Sequence, residues 1–412
     1  MIWAGSGDDY IEGRGGDDVV CAGYGADEIR GGDGNDTLLG FHWASDTDNW
    51  GLRDKGDRIY GGAGDDRLLG FGGDDRLVDL AGDNNVRGMS GNDVVTTGSG
   101  ADWVTAGGGA NHVSTGGGND EVFGTGEFDS RYPALVNGAD VVDGGPGNDS
   151  LYGDLGNDTL RGGFGQDWVV GLEGADRLEG GDGPDTLYGD GDGTSAGQAG
   201  ADTLVGQAGT DSMYGGPGAD VIDGGEGDDS ARGDSGDDRV TLRAGGDYAE
   251  GGSGRDRLDG GDGDDYVTGG DGDDWIGLGP GGDAGDGESG HHEVWGHAGA
   301  DNLRGGTGDD LVDGGEDDDR LSDGSGVDAL RGGGGRDGWR PRAGTTSSTV
   351  GRTTTSAPCP SAPRAARVTP SSSTARRPLP CRRGVPRRPG SVARRTVRQP
   401  SSAHRAAPRI RR

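Results

Sequence analysis

An aspartate returns every nine residues through most of this chain. Glycines precede it by five, four and two positions, as Gly260, Gly261 and Gly263 precede Asp265. Glycine permits positive φ and close backbone approach, so carbonyl oxygens and the carboxylate can converge on one point. An all-oxygen point of that kind suits a hard cation. Calcium takes six to eight oxygens from carboxylates and backbone carbonyls, and these turns offer little else.

The elements that position such points follow from the other half of the unit. Tyr266, Val267 and Thr268 form a three-residue segment that favours extended chain, and the turn half runs from Gly260 to Asp265. With the aspartate as marker, units fall at Asp9, Asp18, Asp27 and Asp36, resume at Asp57 and run to Asp120, then run from Asp140 to Asp185 and from Asp202 to Asp337. Asn84, Asn111 and His292 stand in for three of the markers. In all, 34 units can be placed, and two residues after the marker 30 of them carry Val, Leu, Ile or Met; the exceptions are Ala231, Ala249, Gly285 and Trp339. A disordered acidic tract has no reason to hold an apolar residue at a fixed phase. A period sustained this long predicts a solenoid.

Composition bounds the reading from outside. The 412 residues include 97 glycines, only 29% are hydrophobic, and the net charge is -35. So polar a chain cannot fold on apolar burial alone, because one aliphatic side chain per nine residues offsets only part of the entropy of ordering them. All acidic residues lie at or before Asp337. Such a body repels nucleic acid and anionic membrane and attracts multivalent cations. Cys21, Cys359 and Cys381 are too few and scattered for a disulfide framework or a zinc site. There is no apolar run long enough to span a membrane, and no basic and apolar leader follows Met1; because the chain starts almost inside a repeat, Met1 is expected not to be the natural domain boundary, or to have been preceded by more protein.

The unit resembles the RTX nonapeptide GGxGxDxUx, and the pattern covers about four fifths of the chain. The resemblance implies an all-β, parallel β-roll, a right-handed β-solenoid in which two units make one coil and calcium ions sit in rows between turns 18 residues apart. It implies metal-holding roles for Gly144, Gly145, Gly147 and Asp149, for Gly162, Gly163, Gly165 and Asp167, and for Gly180, Gly181, Gly183 and Asp185. The same roles extend to Gly251, Gly252, Gly254 and Asp256, to Gly260, Gly261, Gly263 and Asp265, and to Gly269, Gly270, Gly272 and Asp274. Asp36, Asp66, Asp220, Asp229, Asp238, Asp247 and Asp310 join them. Asp149 then pairs with Asp167, Asp167 with Asp185, Asp256 with Asp274, and Asp247 with Asp265, each pair flanking an ion. Units short of glycine, such as Leu242 to Asp247, are expected to bind more weakly. The family also implies export and folding outside the cell, where calcium is abundant.

By these markers the repeats occupy 1–39, 52–123, 135–188 and 197–339, with insertions at 40–51 and 124–134, an irregular unit at 189–196 and a basic tail at 340–412. The tail is rich in Arg, Pro, Ser, Thr and Ala and is expected to be disordered. Three readings of it stay open: an anion-binding basic arm, a linker, or the product of a shifted reading frame. Other motifs carry less. Gly193 to Gly197 matches a nucleophile elbow around Ser195 but lacks the strand and helix that motif needs. Gly233 to Gly236 resembles a serine-protease segment but is an ordinary turn in frame. His292 and His297 lie five apart where a zinc helix needs four. Trp103, Trp168 and Trp275 precede the inward residue, so they should stand outside and cover neighbouring strands. The expected function is calcium binding by a secreted, non-catalytic structural, adhesive or secretion-folding module, with an unidentified extracellular partner. The alternative is a repeat fragment of a larger secreted RTX enzyme or toxin.

Overall fold

The computed structural model describes residues 1–41, 55–125, 138–191, 200–340 and 347–349. The chain divides into two compact units, Met1–Thr353 and Thr354–Arg412, and all described residues belong to the first. Among them there is no helix. Short strands alternate between two sheets of 18 strands each, and each strand pairs in parallel with the strand two places on in sequence. The result is a parallel β-solenoid of about 17 coils.

The register is that of the nine-residue period taken twice. Val267 lies beside Ala249, and Ile276 beside Leu258. Strands are longer than the three-residue segments expected from the sequence: Tyr248–Ser253 and Tyr266–Asp271 run on through both glycines of the next unit, pairing Gly252 with Gly270. Parallel bonds between coils continue through the glycine pair because no side chain intervenes. A Cβ at Gly252, whose φ is +104°, would collide with the carbonyl of Asp234 one coil earlier. At Arg243, which replaces a second glycine, the register still holds: the residue pairs with Gly225 and adopts φ 74°.

The core is a file of apolar side chains between the sheets. Val104, Leu151, Leu204, Val267 and Ile276 are fully buried, and a single cluster runs from Ile11 to Leu330. Two exceptions to the apolar phase are resolved by an exchange within the unit. Leu278 occupies a first-glycine position and Gly285, seven residues later, the apolar position; a Cβ at Gly285 would lie 3.0 Å from Leu278 Cδ1. Leu242 and Ala249 repeat that exchange, and both are fully buried. Ala231, which pairs with Ala249, belongs to a unit whose first glycine, Gly224, has Leu242 against it.

Trp103, Trp168 and Trp275 do stand on the outer faces. Trp103 contacts Phe123, which stacks on Tyr152, and Trp168 contacts Tyr188, which stacks on Tyr214. Arg257 lies over Trp275 at 3.9 Å. Ring faces are thus spent on neighbouring coils.

The three departures from the period share one location. Coils close across them: Asp27 is followed in its column by Asp57, Asn111 by Asp140, and Asp176 by Asp202. The irregular unit expected at 189–196 lies mostly outside the described residues. Gly40, Gly124 and Gly189 lie against the carboxyls of Asp57, Asp140 and Asp202, so each is the first glycine of the interrupted turn. Ser195 and most residues of the three segments lie outside the described residues. The roll also runs past 340, since Ser347–Thr349 adds a strand beside Ala329–Arg331.

The exchange at Leu278 generates a test. Leu278→Ala should open a cavity beside Gly285 and weaken the local coils by about 2–5 kcal/mol, read as lost amide-exchange protection from Trp275 to Leu303. Leu278→Gly combined with Gly285→Leu should restore it.

Candidate metal centre

The marker aspartates form two columns, one along each edge of the roll. Asp238, Asp256 and Asp274 follow one another on one edge, and Asp229, Asp247, Asp265 and Asp283 on the other. In each column the backbone N–H of one marker donates to Oδ1 of the marker one coil later, 2.9 Å from Asp149 to Asp167, from Asp167 to Asp185 and from Asp256 to Asp274. The four pairs expected from the sequence are thus neighbours. The ladder runs unbroken from Asp9 to Asp328 and from Asp18 to Asp337.

The second carboxylate oxygen is treated differently. At Asp274 it faces His292 Nδ1 at 3.2 Å; in units such as those of Asp149, Asp167, Asp185, Asp256 and Asp265, the Oδ2 of the marker aspartate is buried and receives no hydrogen bond. It points back into its own turn: a Cβ at Gly144 would lie 2.5 Å from Asp149 Oδ2 and 2.9 Å from the carbonyl of Gly162 one coil on. The same holds at Gly260, with Asp265 Oδ2 at 2.5 Å and the carbonyl of Leu278 at 2.8 Å. First glycines such as Gly162, Gly180, Gly251 and Gly269 keep that space open.

The asparagine units show what surrounds this oxygen. Asn84 Nδ2 donates to the Gly82 carbonyl at 3.1 Å, and Asn111 Nδ2 donates to the carbonyls of Gly107 at 3.3 Å and Gly109 at 3.5 Å. Those carbonyls belong to the second and fourth positions of the same turn. In the aspartate units an anionic oxygen occupies the place of that amide, so acceptor faces acceptor. A positive charge is what the arrangement lacks. No group of three or more His, Cys, Asp or Glu side chains converges among the described residues, so backbone carbonyls must supply most of any coordination shell. That donor set fits calcium and not a transition metal.

Burial pushes the marker carboxyls upward: to about 7 at Asp93, Asp140, Asp149 and Asp185, to about 8 at Asp158 and Asp202, and to about 6 at Asp256. Desolvation is the largest cause at each, and the N–H bond from the previous coil opposes it.

One ladder was not read from the sequence. The residue before the marker, an unspecified position in the motif, often carries Asp or Asn, and its Oδ1 accepts the N–H of the equivalent residue one coil later. Asp237 accepts from Arg255 at 2.9 Å, and Asp264 from Gly282 at 2.8 Å. Each such turn is therefore pinned backward by its marker and forward by the residue before it. The recurring Asp-Asp and Asn-Asp pairs were the available signal.

The histidines do not assemble a zinc site. His292 is a buried rung that accepts the Asp274 N–H at 3.3 Å, His291 accepts the Asp309 N–H in the outer ladder, and His297 sits at a second-glycine position with φ 73°. Ser235 ends an ordinary strand, Ser230–Ser235.

The family model described as the RTX calcium-binding nonapeptide repeat matches residues 1–40, 54–130 and 136–338. The chain belongs to this family. The comparison with curated proteins returned no match. Among solved structures the chain is similar to a hyperactive, Ca2+-dependent, β-helical antifreeze protein from an Antarctic bacterium. Identity is 17% over 82% of this chain and 83% of the other, with a TM-score of 0.19. The RTX units here thus keep their repeat chemistry through three interruptions and three replaced markers.

Two outcomes follow for the RTX turns. Asp256→Asn should keep the rung and bind fewer ions, its amide satisfying the turn as Asn84 does. Asp256→Ala should also strip the acceptor from the Asp238 N–H, costing about 1–3 kcal/mol more; calcium counting and denaturant unfolding separate the two. In chelator, the folded form binds more protons than the unfolded one between about 3.8 and about 8, so its stability should fall as pH rises through that window. Strand signal in chelator should therefore be larger at pH 4 than at pH 8.

Proposed function

We propose that this chain is an extracellular calcium-binding β-roll that folds as it takes up its ions and serves as a non-catalytic structural, adhesive or secretion-folding module. The observation that carries this reading is the buried, unpaired Oδ2 of markers such as Asp149, Asp167, Asp185, Asp256 and Asp265, set against carbonyls that an amide satisfies in the asparagine units. Calcium at these points neutralises the column and joins the Oδ2 to glycine carbonyls of its turn and of the next coil. The glycines and aspartates named from the sequence are the residues that hold it.

Folding and ion uptake are one event on this reading, because the fold gathers buried like charges that only the ions compensate. Extracellular calcium suits the weak sites of such modules, with dissociation constants of about 0.1–1 mM. The acidic surface supports a calcium partner and disfavours nucleic acid. No helix among the described residues is long and apolar enough to cross a membrane.

Circular dichroism at pH 7.5 with millimolar calcium should show strand signal that disappears in excess chelator and returns when calcium is restored. Strand signal unchanged by chelator would overturn the coupling.

A further inference from the structure

The unit ending at Asn84 lacks the marker carboxylate, yet it carries one elsewhere. Its first-glycine position, five residues earlier, is Asp79. Asp79 is 1% exposed and projects from Arg76–Ala81 toward the preceding coil, where its Oδ1 accepts the Gly62 N–H at 3.4 Å. Its Oδ2 lies against the α-carbon of Gly61, and so does the Oδ2 of Asp66, which is 2% exposed. In an ordinary unit such as that of Gly144, the same space meets one carboxylate oxygen and one backbone carbonyl. At Gly61 it meets two carboxylates. Both oxygens are buried, and neither has a hydrogen-bonding partner other than the facing carboxyl.

The marker position of this unit carries an amide in place of the carboxylate. Asn84 Oδ1 still accepts the Asp66 N–H at 3.0 Å and keeps the rung, while its amide satisfies Gly82 within its own turn. The carboxylate missing from the column is supplied by Asp79, from the inner side. Asp323 occupies the same position in the unit of Asp328 but turns its Oδ1 to its own neighbour, the Gly324 N–H. Position alone does not produce the convergence; at Asp79 it comes with the loss of the marker.

We propose that Asp66 and Asp79 form a calcium site of their own, with Asp79 a ligand from outside the repeat motif and Asn84 a non-ligand. The site rests on the calcium-binding reading of the roll. Two buried carboxylates with converging oxygens repel each other unless a proton or a cation lies between them, and a hard divalent cation there completes its shell with backbone carbonyls.

The test is Asp79→Asn in the full chain, which keeps volume and hydrogen-bonding capacity. Native mass spectrometry at saturating calcium should count one ion fewer than in the wild type. Amide exchange across residues 58–90 should need about tenfold more calcium for half-maximal protection, since carboxylate count tunes affinity, while residues 239–277 are unchanged. Adding Asn84→Asp to Asp79→Asn should restore both readouts. An unchanged ion count, or unchanged calcium dependence across 58–90, overturns the site while leaving the roll intact. A wild-type chain that binds no calcium overturns both readings together.

Discussion

Each coil of this protein is held to the next by a carboxylate that accepts a backbone N–H from the coil before it. That bond needs only one of the two oxygens, and it fixes where the other must go, into a buried turn lined by carbonyls. Neighbouring carboxylates in a column repeat at about the 4.8 Å spacing of strands. At an effective dielectric of about 20 each adjacent pair repels by about 3 kcal/mol. A long column of this kind is relieved of that repulsion only by protons or by a counter-charge among the carboxylates. The geometry that makes the roll regular is therefore also the geometry that gathers its buried negative charge.

Much of this was legible in the sequence. The period and the inward phase of Val267 and its equivalents follow from markers nine residues apart, and the sorting of alternate units onto opposite edges was implied by the RTX resemblance. Strand length was not legible, because glycine pairs look like turn formers; only the structure shows parallel bonding carried through Gly252 and Gly270. The outer ladder of Asp237 and Asp264 was hidden for a different reason. The motif leaves that position open, and its role depends on a partner 18 residues away. The resemblance pointed to pairs of aspartates flanking an ion, but it did not anticipate that one oxygen of each is already committed to the backbone.

The irregular units are informative because they follow one rule. Leu242 with Ala249, and Leu278 with Gly285, exchange volume between two positions that share the core. Asp79 with Asn84 exchanges charge between two positions that share a turn. Each looks like a defect when positions are scored separately. Considered as a unit, the apolar volume or the carboxylate is retained and only its address changes. Solenoids allow this because each repeat contacts only its neighbours, so a local substitution needs only a local answer.

The three interruptions have one further consequence. Asp57, Asp140 and Asp202 all belong to the same column, and the chain departs inside the turn, after the first glycine and before the marker, each time. Four rungs separate the first departure from the second and three separate the second from the third, which sets them about 19 and 14 Å apart along the column. The opposite column has no such departure. One edge of the roll thus behaves as a mounting rail with slots one coil apart. Extra chain can be hung there for a loop-closure cost that grows only logarithmically with its length, while the other edge preserves the count of nine.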